Sequence, residues 1–326
     1  MRAWQVQDAG EPVDVLHEVE LDPPEPGPGQ VRIRVTAAGI GLPDVLMCRG
    51  TYPITPPRPF TPGQEATGVV TAVGAGVDLA IDTRVMAVTM FWQGTGSFAE
   101  ECLVDAGSAF AAPPGLTDAE AAGFWIPHMT GWIGLVDRGR VAAGDWLAVL
   151  GASGGSGIAA VQLGRALGAR VVAVAGGEEK VAFCRSLGAD VALDHRTCGP
   201  LAEALRDATE GHGVDLVYDP VGGPVAEEAA KAMARDGRLL AVGFASGSWP
   251  VLPTHELVVT NTSVVGVFAG GYARAELDAM HAHLAGLVAD GRLRNAVTGE
   301  VAWAALPAAL QAMADRAVIG KQVLVP

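Results

Sequence analysis

Seven small residues, Gly151-Ala152-Ser153-Gly154-Gly155-Ser156-Gly157, are the part of this sequence best suited to chemistry at a phosphate. Before them runs the short apolar stretch Leu147 to Leu150, introduced by a Gly144-Asp145 turn, which reads as a buried parallel strand. After them, residues 158–167 have helical apolar spacing with a stop at Gly168. Strand, glycine-rich turn and helix in that order bring backbone N–H groups and a helix N-terminus to one point. The positive end of the helix dipole then favours a pyrophosphate there. The glycines let the backbone turn tightly, approach the phosphates and pack helix on strand. The spacing departs from G-x-G-x-x-G once, because Ala152 holds the first glycine position of Ala152-x-Gly154-x-x-Gly157. A bare glycine cluster is as readily a surface loop; the strand before it and the helix after it make dinucleotide binding the expectation.

A second strand, Arg170 to Ala175, ends in Gly176-Gly177. Domains that take NAD usually place an acid there to hold the ribose 2′-hydroxyl, and that carboxylate would repel a 2′-phosphate. This strand end has none, and Gly177 leaves space, so NADPH is the expected cofactor. Glu178 and Glu179 argue the other way, but they open a helix where both can face solvent and favour its N-terminus.

The elements that must position these residues follow from the rest of the chain. Residues 1 to about 120 read as short strands divided by turns: 31–35, alternating with period two after the proline- and glycine-rich stretch 22–29, then 67–73 and 85–90. Such spacing suggests a barrel-like β domain. Thr117 and Glu120 form a capping box that opens a helix. Strands then alternate with helices (147–150, 170–175, 190–193, 214–218, 238–243, 263–268), the doubly wound pattern of a parallel sheet. Helices at 274–290 and 306–315 and a strand at 322–325 end the chain.

With 326 residues the chain is long enough for two cores, and 22 basic against 36 acidic residues give a net charge of −14. That balance disfavours nucleic acid or an anionic membrane as partner. Cys48, Cys102, Cys184 and Cys198 are scattered without a CxxC pair, as in a reduced compartment. The start has no apolar core behind a basic end, and no run approaches a membrane span of ~18 apolar residues, so a soluble cytoplasmic protein is expected.

The stretch GASGGSGIAAVQLGRALGA, with LGADVALDHR and YDPVGG after it, resembles the zinc-independent quinone oxidoreductases of the medium-chain dehydrogenase/reductase superfamily. AAGIGLPDVLMCRGTYP, PFTPGQEATGVVTAVG, GSFAEE, GRLLAVGFASG and SVVGVFAGGY sit in the same order and spacing, so the likeness covers nearly the whole chain. It implies an α/β protein with a GroES-like β-barrel catalytic domain at 1–122 and 270–326, and a Rossmann NADP-binding domain at 123–269. Zinc relatives would supply a cysteine, a histidine and a third ligand where this chain has Gly41, Gln64 and Ile126, and the four-cysteine loop of a structural zinc site is missing. Those side chains cannot make a tetrahedral zinc site, so no metal is expected. Without a metal to stabilise an alkoxide, the expected reaction is hydride transfer to an electrophilic acceptor, a quinone or an enone. An enoyl-thioester or enal reductase is the alternative within enzymes, and a low-turnover NADPH-binding protein the alternative outside them.

The resemblance also assigns roles. Gly41 stands where an asparagine is usual; it either makes room for a larger acceptor or serves a tight turn. Tyr52 matches a position facing the active site, from which its hydroxyl can donate to an acceptor oxygen, or else it caps the barrel. Thr130 matches a threonine touching nicotinamide, unless its hydroxyl bonds its own helix. His128 is a candidate proton donor or a structural histidine, and Asp44 a structural hydrogen-bonding group. Phe244 and Phe268 are expected to wall the nicotinamide pocket, with Ser246 among the cofactor contacts and Trp92 and Tyr272 beside the acceptor. Lys180 and Arg316 match 2′-phosphate ligands. His195 stands where a tyrosine is frequent; facing the phosphate, it would make NADPH affinity rise as pH falls below neutrality. Each basic residue has the competing role of a solvated surface charge. A homodimer or homotetramer is implied, with the strand at 263–268 as a candidate edge.

Overall fold

A computed structural model describes all of residues 1–326. In chain order its strands are β1 (Arg2–Val6), β2 (Leu16–Glu20), β3 (Gln30–Ile40), β4 (Glu65–Val73), β5 (Arg84–Thr89), β6 (Glu101–Ala111), β7 (Trp146–Leu150), β8 (Arg170–Ala175), β9 (Val191–Asp194), β10 (Val214–Asp219), β11 (Met233–Ala241), β12 (Ser263–Gly266), β13 (Val297–Ala302) and β14 (Lys321–Val325). The chain forms two compact units. One comprises Met1–Ile126, Ala273–Ala289 and Arg294–Pro326; the other comprises Pro127–Tyr272 and Asp290–Leu293.

In the first unit a mainly antiparallel sheet has the order β13-β14-β3-β4-β5-β6, and β6 also pairs with β3. That second pairing closes β3, β4, β5 and β6 into a barrel. The period-two pattern at the start of β3 has its expected effect: Val31, Ile33 and Val35 are buried and Arg34 faces water. Inside lie Phe60, Phe98, Met47 and Cys102 among other apolar side chains. The last strand is tied in by a buried ion pair. Lys321 Nζ lies 2.6 Å from Glu65 Oε1 and donates to the Ile40 carbonyl at 3.1 Å, while Glu65 Oε2 accepts the Ile126 N–H at 3.1 Å. The capping box is present: Glu120 N–H donates to Thr117 Oγ1 at 3.2 Å and Thr117 N–H to Glu120 Oε2 at 2.9 Å.

The second unit is a parallel six-stranded sheet in the order β12-β11-β10-β7-β8-β9. The chain enters at β7, winds outward through β8 and β9, then returns to β10 and winds the other way. Beyond the carboxyl ends of β7 and β10 the direction of winding reverses, which in such sheets opens a crevice for a ligand. All five residues of β7 are buried, as its apolar run requires. The helix Trp125–Trp132 continues into a π-helical turn, Ile133–Arg138, where the Gly139 N–H reaches the Gly134 carbonyl at 2.7 Å. Nowhere does the structure contain a helix long and apolar enough to cross a membrane.

Candidate functional site

The glycine-rich turn leaves β7 through Gly151, whose φ of +58° is left-handed. The left-handed position thus falls one residue before Ala152, which explains why alanine is tolerated in the first glycine position of the fingerprint. Gly157 is needed for contact instead: a Cβ there would stand 2.3 Å from the Gly151 carbonyl oxygen and 2.7 Å from Ala152 Cα. The helix Gly155–Ala166 starts earlier than its apolar spacing suggests, with Gly154 as N-cap and no side chain capping it. Its first N–H groups therefore remain available to an anion. A Cβ on Gly154 would meet only the Gly151 carbonyl oxygen, at 3.5 Å, so that side of the turn is open. Ser153 is buried, whereas Gly155 and Ser156 are half-buried. A turn with bare donors and an open glycine at its N-cap fits a dinucleotide pyrophosphate.

At the end of β8 stand Gly176 and Gly177, without an acidic side chain. The register pairs Ala175 with Asp194, so His195 and Arg196 lie beside these glycines. His195 Nε2 is 2.7 Å, and Arg196 Nε 3.0 Å, from where a Cβ on Gly176 would sit. Gly177, at φ +101°, caps the helix Glu178–Ser186, on which Glu178 and Glu179 are exposed and Lys180 half-buried. Asp194 Oδ1 accepts N–H groups from Gly177 and Arg196, both at 3.0 Å; these bonds hold its carboxyl below the usual range. Arg196 was not among the expected ligands. Counting the parallel register from β8 to β9 is the signal that finds it.

On the same unit Thr130 lies on the helix Trp125–Trp132, half-buried. The helix approaches the glycine-turn helix closely at Gly131, where a Cβ would lie 2.7 Å from Leu163 Cδ1. His128 is buried in this helix. Phe244 follows β11, half-buried with its ring 5.0 Å from that of Trp249, and Ser246 Oγ donates to the Ser248 carbonyl at 3.1 Å. Phe268, just past β12, is 70% exposed, and Tyr272 ends the unit's first segment.

In the first unit Gly41, Asp44, Tyr52 and Gln64 come together. Asp44 is buried near the start of the helix Leu42–Arg49; its Oδ2 accepts the Gly41 N–H at 2.9 Å and its Oδ1 the Gly63 N–H at 3.1 Å. Burial pushes this carboxyl up to about 7, although both N–H groups and Lys321 favour its charge. The structural hydrogen-bonding role expected of Asp44 is thus what its contacts describe. Gly41 has φ −138° and ψ 159°, extended backbone open to any residue, so the tight-turn explanation for this glycine fails. A Cβ there would meet Pro43 Cδ at 3.3 Å. Tyr52 packs half-buried against the barrel core. Burial raises its phenol pKa, the Gln64 side chain lowers it and nearby Asp44 raises it. Trp92 is partly exposed, edge-on to Phe91. Arg316 follows the helix Leu306–Ala314, exposed and at φ +60°. Nowhere do three or more His, Cys, Asp or Glu side chains gather so as to hold a metal ion.

Comparison with known proteins accords with this arrangement. Residues 27–114 match the alcohol dehydrogenase GroES-like domain and residues 155–286 the zinc-binding dehydrogenase family. A quinone oxidoreductase-like protein 2 homolog from Nematostella vectensis is 34% identical over 275 residues, 84% of this chain and 73% of that one. A mycocerosic acid synthase-like polyketide synthase from Mycobacterium tuberculosis is 36% identical over 240 residues, 73% of this chain but 11% of that protein. A mycobacterial protein solved in complex with NADPH superposes with a TM-score of 0.91 at 28% identity, covering 100% of both chains. With a barrel, a doubly wound sheet and these relatives, the chain belongs to the quinone oxidoreductase-like proteins of the medium-chain dehydrogenase/reductase superfamily, oxidoreductases that use a nicotinamide cofactor.

Proposed function

We propose that this protein is an NADPH-dependent reductase that passes a hydride, without a metal, to a quinone or to a carbon–carbon double bond conjugated to a carbonyl. The observation that carries the choice of NADPH is the end of β8. Two glycines stand where an NAD-specific domain has its acid, and His195 and Arg196 lie over them with Lys180 close by in the chain. The Asp194 carboxylate beside them has its Oδ1 taken up by two backbone N–H groups.

A bound reduced nicotinamide supplies the hydride. The chain holds the cofactor through the glycine turn, through Thr130, and through Phe244, Ser246 and Phe268 around the nicotinamide end, with Arg316 as a further phosphate ligand. It must also exclude water and stabilise the oxygen that gains charge. Tyr52 is suited to the last task, because a phenol whose pKa is raised by burial keeps its proton at neutral pH and donates it in a hydrogen bond. Gly41, Gln64 and Ile126 offer no metal ligand set to stabilise the alkoxide of an alcohol substrate, which favours acceptors already electrophilic. The lack of a side chain at Gly41 favours a bulky one.

The likeness to a short stretch of a polyketide synthase favours a second reading, reduction of an enoyl thioester or enal by the same hydride chemistry. A cytoplasmic location with neither nucleic acid nor membrane as partner completes the proposal, in keeping with the net charge of −14.

Lys180→Ala and Arg196→Ala test the cofactor assignment. Each is expected to weaken NADPH binding at least several-fold, leave NADH nearly unchanged and flatten the salt dependence of NADPH binding. Equal losses for the two cofactors would assign these residues to the fold, and a parent protein preferring NADH would overturn the assignment.

A further inference from the structure

Tyr218 is fully buried in β10, paired across the sheet with Val149 of β7, the strand that feeds the glycine turn. Its hydroxyl lies 2.8 Å from Ser156 Oγ, on the second residue of the turn's helix. The next residue braces the other end of the turn. Asp219 Oδ1 accepts the N–H groups of Val221 at 2.9 Å and Gly222 at 2.7 Å, bending the chain so that Val221 Cγ2 lies 2.9 Å from where a Cβ on Gly151 would stand. Behind Tyr218, its Cε2 is 3.0 Å from the Cβ position of Gly134, in the π-helical turn that follows Thr130. One aromatic side chain therefore touches both the helix of the glycine-rich turn and the π-helical turn that follows the helix of Thr130.

The direction of the Tyr218–Ser156 bond follows from accounting for donors. Burial pushes the Tyr218 phenol up to about 12, so it carries its proton at neutral pH. Ser156 is the hydrogen-bond partner of that buried O–H, and an unmade buried hydrogen bond is costly. The phenol therefore donates to Ser156 Oγ, and the half-buried serine keeps its own proton for another acceptor.

We propose that Tyr218 is a positioning residue for the cofactor: its hydroxyl holds Ser156 oriented so that the serine O–H is donated to a pyrophosphate oxygen. This rests on the reading of the glycine turn as the pyrophosphate cradle. No covalent step is involved; the effect is one preoriented hydrogen bond to a charged acceptor.

The test is a double-mutant cycle on cofactor affinity, using Tyr218→Phe, which keeps the ring against Gly134, Ser156→Ala, and the pair together. Each single change is expected to weaken NADPH and NADH alike, by about fivefold, since the pyrophosphate is common to both. The double variant should lose no more than either single one, and the melting temperature of the cofactor-free Tyr218→Phe protein should stay within a few degrees of the parent. Saturating NADPH should restore the parent turnover. Parent-like affinity in Tyr218→Phe, or losses that multiply in the double variant, would overturn the proposal while leaving the cradle in place. A parent protein that binds neither dinucleotide would overturn the cradle and the proposal with it.

Discussion

At the scale of single residues, the account turns on what each side chain or its absence permits. Gly154 is the cleanest case, because its Cβ position is nearly open whereas that of Gly157 is filled by backbone. Gly154→Val should therefore fold normally and still weaken NADPH binding at least ~10-fold, about 1.4 kcal/mol, by standing where the phosphate must lie. A variant that binds as the parent does would mean that the turn is not the cradle. Asp44 supplies a pH dependence. Its carboxyl titrates near 7 in the folded protein against an ordinary value of 3.8, so between these limits the native state holds more protons than the unfolded one. Stability from this group is then complete below about pH 4 and is lost as pH rises through 7, with an amplitude of about 4 kcal/mol. Asp44→Asn keeps this side chain neutral at every pH and should flatten the decline between pH 5 and pH 8. Denaturant unfolding at the two pH values measures it; an unchanged slope would assign the titration to another group.

At the scale of elements, much was legible before the structure and some was not, for physical reasons. The strand at β7, the capping box and the alternation in β3 depend on local pattern, and local pattern reads directly. The glycine-turn helix begins at Gly155 rather than 158 because its first residues carry no apolar signal. β6 escaped notice because Asp105 and Gly107 interrupt its pattern, and its pairing with β3 spans distant sequence. β11 begins at Met233, ahead of 238, across an irregular register and the left-handed Asp236. In the candidate site the glycines and Lys180 could be named from sequence; Arg196 and the Tyr218–Ser156 bond required the order of strands in the sheet. One element still presents an unpaired face. β12 is the edge of the parallel sheet, and Val258 and Val259, on the helix before it, are 72% and 79% exposed, with Phe268 after it. We propose that two copies associate through this edge. Sedimentation should find a dimer, and Val264→Lys on β12 should shift it toward monomer; a parent that is monomeric at micromolar concentration would contradict this.

At the scale of the whole molecule, the two units carry different candidate residues for the proposed reaction. The parallel sheet has a glycine-rich turn with uncapped backbone donors, and the barrel has a buried carboxyl, a phenol and, at Gly41, a glycine in place of a zinc ligand. The most direct measurement follows the absorbance of reduced nicotinamide with a panel of quinones, enones, enals and enoyl thioesters, using protein treated exhaustively with chelators. The account predicts acceptor-dependent oxidation, faster with NADPH than with NADH, undiminished by the chelator. Stoichiometric zinc whose removal abolishes activity, or NADPH that binds and is oxidised by none of these acceptors, would contradict it.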